Sequence, residues 1–188
     1  MRLLFLLVSL LSISSWAQEK YGFVHFNSST TAAEITTFLK EGNALVSGIL
    51  SNGSTWALLD LNYSELAQLK TKYKTDVTFW TQRIGSPCAL RKYQKNTELT
   101  FVKYSSHITK FNVQDLPQLF KLHDEHLDKI NTTGNILLEG FLDNDDGGVL
   151  VMIGTVDEKV ISIDPAVVNG ILEPEIYLCT IQVQKGCN

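Results

Sequence analysis

Residues 115–172 read DLPQLFKLHDEHLDKINTTGNILLEGFLDNDDGGVLVMIGTVDEKVISIDPAVVNGIL and decide the fold. Apolar residues recur at a helical period over 115–131, and apolar runs over 135–142 and 149–154 enclose an acidic, glycine-rich turn. A second helix is predicted over 157–163. A hairpin between two helices lets both helices lie on one face of a sheet, which brings their side chains within reach of each other.

The same order of elements is predicted twice along the chain. Strands over 99–105 and 175–183 complete the second half as βαββαβ. The first half repeats this order, with strands over 20–26, 44–50, 55–61 and 76–84 and helices over 30–41 and 64–73. A type I′ turn is predicted at Asn52-Gly53, and Ser64 is the expected cap of the second helix.

A βαββαβ unit forms a four-stranded antiparallel sheet with both helices on one face. The opposite face is apolar and needs cover, which a second unit provides by packing sheet to sheet. The prediction is therefore an α+β fold, in which tandem ferredoxin-like βαββαβ units pack as a pseudo-dimeric α/β barrel. The halves share landmarks rather than identity, such as Gly48 with Gly140 and Gly53 with Gly147.

The ends of the chain predict export and the domain limits. Residues 1–17 have a short positive start at Arg2, an apolar run over 3–11 and small residues before Gln18, as in a cleaved signal peptide. We therefore predict a periplasmic or secreted protein. The predicted domains are a degenerate ferredoxin-like repeat over 18–85, a linker over 86–98 and a second ferredoxin-like domain over 99–188.

Net charge and cysteine content bear on the binding partners of the protein and on the oxidation state of its cysteines. A net charge of −4 over 188 residues gives no electrostatic reason to bind nucleic acid or, after signal cleavage, an anionic membrane. Export exposes the three cysteines to oxidation. We predict a disulfide between Cys88 and Cys187 and a buried free thiol at Cys179, although spacing alone leaves other pairings open.

Two histidines on the predicted helix over 115–131 are candidate site residues. The apolar side of the helix centres on His123, and His126 lies about sixty degrees to one side. A histidine in such a place is either a hydrogen-bonded boundary residue or a functional one. The pair at i and i+3 lacks an evident third ligand, so no metal site is predicted.

Asp164 precedes Pro165, which is the pattern of a helix N-cap. The short helix predicted over 165–168 ends at Asn169-Gly170. A carboxylate fixed by capping is also well placed to orient an imidazole, so capping and catalysis are compatible.

Several segments resemble the YCII-related family, small α+β proteins with a proposed His-Asp dyad. They are EHLDKI (125–130), EGF (139–141), DDGG (145–148), IDPAVVNGIL (163–172) and EPEIY (173–177). The resemblance covers roughly residues 99–184, and departs from the family at Phe141-Leu142 and Leu178-Cys179. It implies the ferredoxin-like architecture and assigns the dyad to His126 and Asp164. The first half has Glu34 at the position of His126 and no Asp-Pro, so only the second half is expected to be active.

These observations predict an exported enzyme that works on a small molecule without a cofactor. His126 is the expected general acid or base and Asp164 its orienting partner, while Tyr104, Ser105 and His123 are expected to bind substrate. The alternative is a non-catalytic binding or scaffold module with a vestigial dyad. Nucleophile elbows, phosphate-binding loops and dinucleotide fingerprints are absent from the sequence. The chain is expected to be a monomeric pseudo-dimer or a homo-oligomer.

Overall fold

The computed structural model describes residues 19–93, 97–143 and 147–183, so the predicted signal peptide and Cys187 lie outside the described residues. The order of helices and strands agrees with the prediction. The strands are β1 (Lys20–Phe26), β2 (Ala44–Leu50), β3 (Thr55–Leu59), β4 (Val77–Gly85), β5 (Leu99–Ser106), β6 (Ile136–Leu142), β7 (Gly147–Ile153) and β8 (Leu172–Val183). The α-helices are α1 (Ala32–Glu41), α2 (Tyr63–Tyr73), α3 (Leu116–Asn131), α4 (Glu158–Ser162) and α5 (Pro165–Val168), and 3-10 helices span Pro87–Tyr93 and Ile108–Lys110.

The strands close into one antiparallel barrel in the order β1-β3-β2-β8-β5-β7-β6-β4. In the first half β4 lies beside β1, followed by β3 and β2. In the second half β8 lies beside β5, followed by β7 and β6. The halves meet along β2–β8 and β4–β6, so the two joints are formed by corresponding strands. The predicted α+β class is confirmed, with one eight-stranded barrel as its centre.

Apolar side chains are buried in three layers. Because successive side chains of a strand point to opposite faces, one set fills the barrel and the other lies under the helices. Inside the barrel, Trp56 stacks on Phe101 with ring centroids 5.1 Å apart. Outside, α1 and α2 cover the first half through Phe38 and Leu66, and α3 covers the second half through Leu127.

Two glycines that mark the repeat each make room for a tryptophan in the barrel. A Cβ atom on Gly48 would lie 2.2 Å from Nε1 of Trp56. A Cβ atom on Gly140 would lie 2.6 Å from Cε2 of Trp80 and 2.2 Å from the carbonyl oxygen of Thr81. Both positions therefore exclude any side chain, because real Cβ contacts are longer than this.

Part of the segment predicted as a linker belongs to the folded core. Within residues 86–98, Pro87–Tyr93 forms a 3-10 helix, and Leu90 on it is fully buried among the barrel residues. A leucine in a seven-residue apolar and basic run carries no clear period, so the sequence did not reveal its burial.

Two local predictions were wrong. Gly53 has a φ of 83°, but Asn52 is not among the residues with positive φ, so the turn is not type I′. It is a three-residue loop closed by the Gly53 amide, which donates to the Leu50 carbonyl at 2.9 Å. Helix α2 is capped by Asn62 rather than Ser64, because the Asn62 Oδ1 accepts from the Ser64 amide at 2.9 Å.

Of the two cysteines within the described residues, one is in a disulfide and the other is a free thiol. Cys88 is disulfide-bonded, and Cys179 is a buried free thiol, as predicted for that residue. The Trp56 Nε1 donates a hydrogen bond to the Cys179 Sγ at 3.3 Å. No described helix is both long and apolar enough to cross a membrane.

Candidate active site

A cavity of about 240 Å³ lies between α3 and the outer face of β5, β6 and β7. We call it the α3 cavity. Its wall is mainly apolar, and its buried polar side chains are Tyr104, His123 and Glu139. The apolar lining comprises Ile108, Phe120, Phe141, Leu142, Val149, Leu172 and the glycines 140, 147 and 148.

His123 and Asp164 form a buried pair beside this cavity. The His123 Nδ1 lies 2.6 Å from the Asp164 Oδ2, and the side chains are 3% and 0% exposed. The other carboxylate oxygen, Oδ1, accepts from the Ala166 amide at 2.9 Å, which confirms that Asp164 is the N-cap of α5. An ionised carboxylate only accepts hydrogen bonds, so the proton of a neutral His123 is on Nδ1 and Nε2 presents a lone pair.

The predicted partnership of Asp164 with His126 is therefore wrong. The His126 Nε2 lies 2.9 Å from the Val160 carbonyl oxygen and must donate to it. His126 thus ties α3 to α4, while His123 points to the α5 cap. The reason is the helical period: three residues along α3 turn the side chain by about sixty degrees, away from Asp164. The family resemblance selected the neighbour of the paired histidine, whereas the apolar period indicated His123 as the buried one.

Glu139 is a site residue that the sequence analysis missed. It is 3% exposed, and its Oε2 accepts from the Arg83 Nε at 2.5 Å. The Arg83 Nη1 also pairs with the Asp128 Oδ1 at 3.0 Å. Burial raises the pKa of Glu139 to about 7, although Arg83 and His123 both act to lower it. The available signal was a lone carboxylate in the apolar strand ILLEGFL.

Tyr104 contributes a hydroxyl to the same cavity. Its side chain is 2% exposed, and its hydroxyl has no hydrogen-bond partner among the described residues. The ring packs edge-on against His123, with centroids 5.6 Å apart. Burial, and then the charges of Asp164 and Glu139, raise the pKa of Tyr104, so it stays a hydrogen-bond donor. A buried hydroxyl of this kind is available to a ligand.

The predicted substrate-binding residues separate into two places. Tyr104 and His123 both line the α3 cavity, whereas Ser105 lines a different cavity inside one end of the barrel. Neighbouring residues of a strand point to opposite faces, so Tyr104 and Ser105 are not placed to line one site. Within the described residues there is no group of three or more potential metal ligands.

Comparison with known proteins gives a fold but no family. No family model matches this chain, and no curated protein matches it. A candidate monooxygenase from Fusobacterium nucleatum aligns with a TM-score of 0.51 and 7% identity, over 90% of this chain and 96% of that one. At such low identity the similarity shows a common fold alone.

Two further solved structures are related to heme. A heme-binding protein from Thermus thermophilus aligns with a TM-score of 0.47 and 11% identity, over 87% of this chain and 93% of that one. A heme-degrading enzyme from Listeria monocytogenes has a TM-score of 0.46 and 9% identity, over 85% and 98%. Neither score supports an argument about this chain.

The α3 cavity is too small for a heme. Pockets for drug-sized ligands measure about 300–1,000 Å³. The α3 cavity holds about 240 Å³, and a heme macrocycle is larger than a drug-sized ligand. The cavity suits a molecule of one small ring or a short chain.

Proposed function

We propose that this protein is a small-molecule enzyme that removes a proton from a mainly apolar substrate in the α3 cavity. His123 is the general base, Asp164 orients it, and Tyr104 and Glu139 stabilise the anion that forms. The observation that carries this proposal is the buried contact of 2.6 Å between His123 and Asp164 at the wall of the cavity.

The geometry supports His123 as the base because the contact of its Nδ1 with Asp164 fixes the tautomer. Asp164 is itself held by the Ala166 amide, so the carboxylate cannot turn away from the imidazole without losing its cap. A base fixed in this way needs little reorganisation when it accepts a proton. Positioned general bases of this kind contribute about 10²- to 10⁴-fold to a rate.

Tyr104 and Glu139 supply hydrogen-bond donors for a developing negative charge. The Tyr104 hydroxyl is buried without a partner among the described residues, and burial raises the pKa of Glu139 to about 7, so this carboxyl keeps its proton to a higher pH than an ordinary one. Donors in an apolar enclosure stabilise an oxyanion more strongly than they do in water. The expected substrate therefore has a carbonyl or phenolic oxygen next to the proton that is removed.

A deprotonated, electron-rich substrate is also a form that reacts with dioxygen. The candidate monooxygenase with the same fold makes oxygen consumption worth measuring beside proton exchange. The alternative function is a binding module without turnover. It is favoured by Arg83, which already satisfies Glu139 and Asp128 without any ligand.

The test uses small ring ketones and dihydroxybenzenes incubated with the protein in heavy water. Proton NMR reports exchange of the acidic hydrogens, and an oxygen electrode reports oxidation. His123→Gln is expected to lower the exchange rate of a responsive compound by about 100-fold or more, with His126→Gln as the matched control on the same helix. Equal losses in both variants would refute the assignment of the base. Binding of compounds without exchange would favour the module.

We further propose that the chain is exported and that its two halves are tandem ferredoxin-like units of YCII-related type. The disulfide at Cys88 supports an oxidising compartment. The corresponding strand orders and the two corresponding joints support the pseudo-dimer. Mass spectrometry of the protein from its own host tests export, since the mature chain is expected to begin at Gln18.

A further inference from the structure

One end of the barrel interior opens into a second cavity, of about 420 Å³, which we call the barrel mouth. Its apolar floor includes Phe23 and Leu142, and its polar wall includes His25, Lys103 and Ser105. It shares Leu142 with the α3 cavity, so the two cavities are neighbours. The volume lies within the about 300–1,000 Å³ typical of ligand pockets.

Lys103 brings a positive charge into the barrel mouth without an ion pair among the described residues. Elsewhere among the described residues, the lysines that form ion pairs are Lys20, Lys70, Lys72 and Lys121. Glu175 lies opposite Lys103 on β8 and keeps its negative charge while its Oε2 accepts from the Tyr177 hydroxyl at 2.5 Å, but the two side chains form no ion pair. Asp76, at the rim, has a side chain that is 98% exposed. A half-buried ammonium that forms no ion pair is suited to an anionic ligand, because burial of a charge is unfavourable unless it is paired.

His25, in the wall of the barrel mouth, adds no second positive charge to that of Lys103. The Ser54 hydroxyl donates its single proton to the Asn52 Oδ1 at 2.6 Å, so it accepts from the His25 Nε2 at 3.0 Å. Burial, and then Lys103, lower the pKa of His25, while Glu175 acts to raise it. The imidazole is therefore neutral at neutral pH, so Lys103 is the cationic side chain and the exposed Asp76 the acidic one among the residues that line the cavity.

We propose that the barrel mouth binds a small carboxylate with an apolar body, at a site distinct from the α3 cavity. The Lys103 ammonium pairs with the carboxylate, and the Ser105 hydroxyl donates a second hydrogen bond. The apolar body packs on Phe23 and Leu142. This binding does not depend on the acid–base function proposed for His123.

The test is an NMR titration of the full chain with benzoate, using benzamide as the uncharged probe of the same shape. Benzoate is expected to shift the amide signals of Lys103 and Ser105 and the ring signals of His25. Lys103→Gln is expected to weaken benzoate binding about tenfold to a hundredfold, the usual contribution of a charge-assisted hydrogen bond. Lys110→Gln, which removes an exposed lysine outside the cavity, is the matched control and is expected to change nothing.

The proposal is overturned if benzamide binds as tightly as benzoate, or if Lys103→Gln binds benzoate as the wild type does. Shifts confined to Phe120 and His123 would also overturn it, because the carboxylate would then occupy the α3 cavity. Ser105→Ala is a second, milder variant and is expected to weaken binding several-fold. His123→Gln is expected to leave benzoate binding unchanged, which separates this site from the proposed enzyme function.

Discussion

Replacing Glu139 by glutamine is expected to change how the stability of the protein depends on pH. Burial raises the pKa of the Glu139 carboxyl from 4.5 to about 7. The folded protein then keeps a proton that the unfolded chain has already lost. Stability from this group is fully present below pH 4.5 and is lost as the pH rises through about 7. At about 1.4 kcal/mol for each pH unit, this interval corresponds to about 3 kcal/mol.

The assay is urea unfolding of the wild type and Glu139→Gln between about pH 4.5 and about pH 7.5. The free energy of unfolding of the variant is expected to rise relative to the wild type by about 3 kcal/mol across this range, because glutamine does not titrate. Glu98→Gln is the control, since that carboxylate is exposed. A difference between wild type and Glu139→Gln that stays constant with pH would refute the reasoning.

Three further outcomes are expected. Asp164→Ala is expected to lower the free energy of unfolding by about 3–5 kcal/mol, because it leaves a buried imidazole unpaired. His126→Gln is expected to lower it by only about 1 kcal/mol, since glutamine still donates to a carbonyl; equal losses in chemical unfolding would contradict this. Gly140→Ala is expected to cost at least about 2 kcal/mol, as its Cβ would meet Trp80, and an unchanged melting curve would contradict the close contact. Burial raises the pKa of the Cys179 thiol to about 11, so native protein is expected to resist thiol reagents that label it after unfolding, and rapid native labelling would disprove its burial.

Periodicity predicted more of the site than the resemblance did. The apolar side of α3 centres on His123, and this is the histidine that is buried against Asp164. The family motif placed the role on His126, which is only three residues away but is turned by about sixty degrees around the helix. Each residue along a helix points its side chain in a new direction. A motif that is matched three residues away therefore assigns a different contact.

Long-range partners were beyond prediction. Arg83 and Glu139 are 56 residues apart, on different halves of the chain, and they meet because β4 lies beside β6 in the barrel. Each residue alone is an ordinary charged side chain on a strand. Only the closed sheet shows that the pair is buried beside the α3 cavity and that burial raises the pKa of the carboxyl.

The sequence by itself determined the order of the elements, the α+β class, the cap at Asp164 and the inward face of α3, because these depend on residues close together in the chain. The tertiary structure alone decided which strands join the two halves, that Leu90 completes the barrel core, and that Ser105 faces the barrel mouth while Tyr104 faces α3. The physical reason is that local patterns set the direction of each side chain, whereas barrel closure decides what that side chain meets.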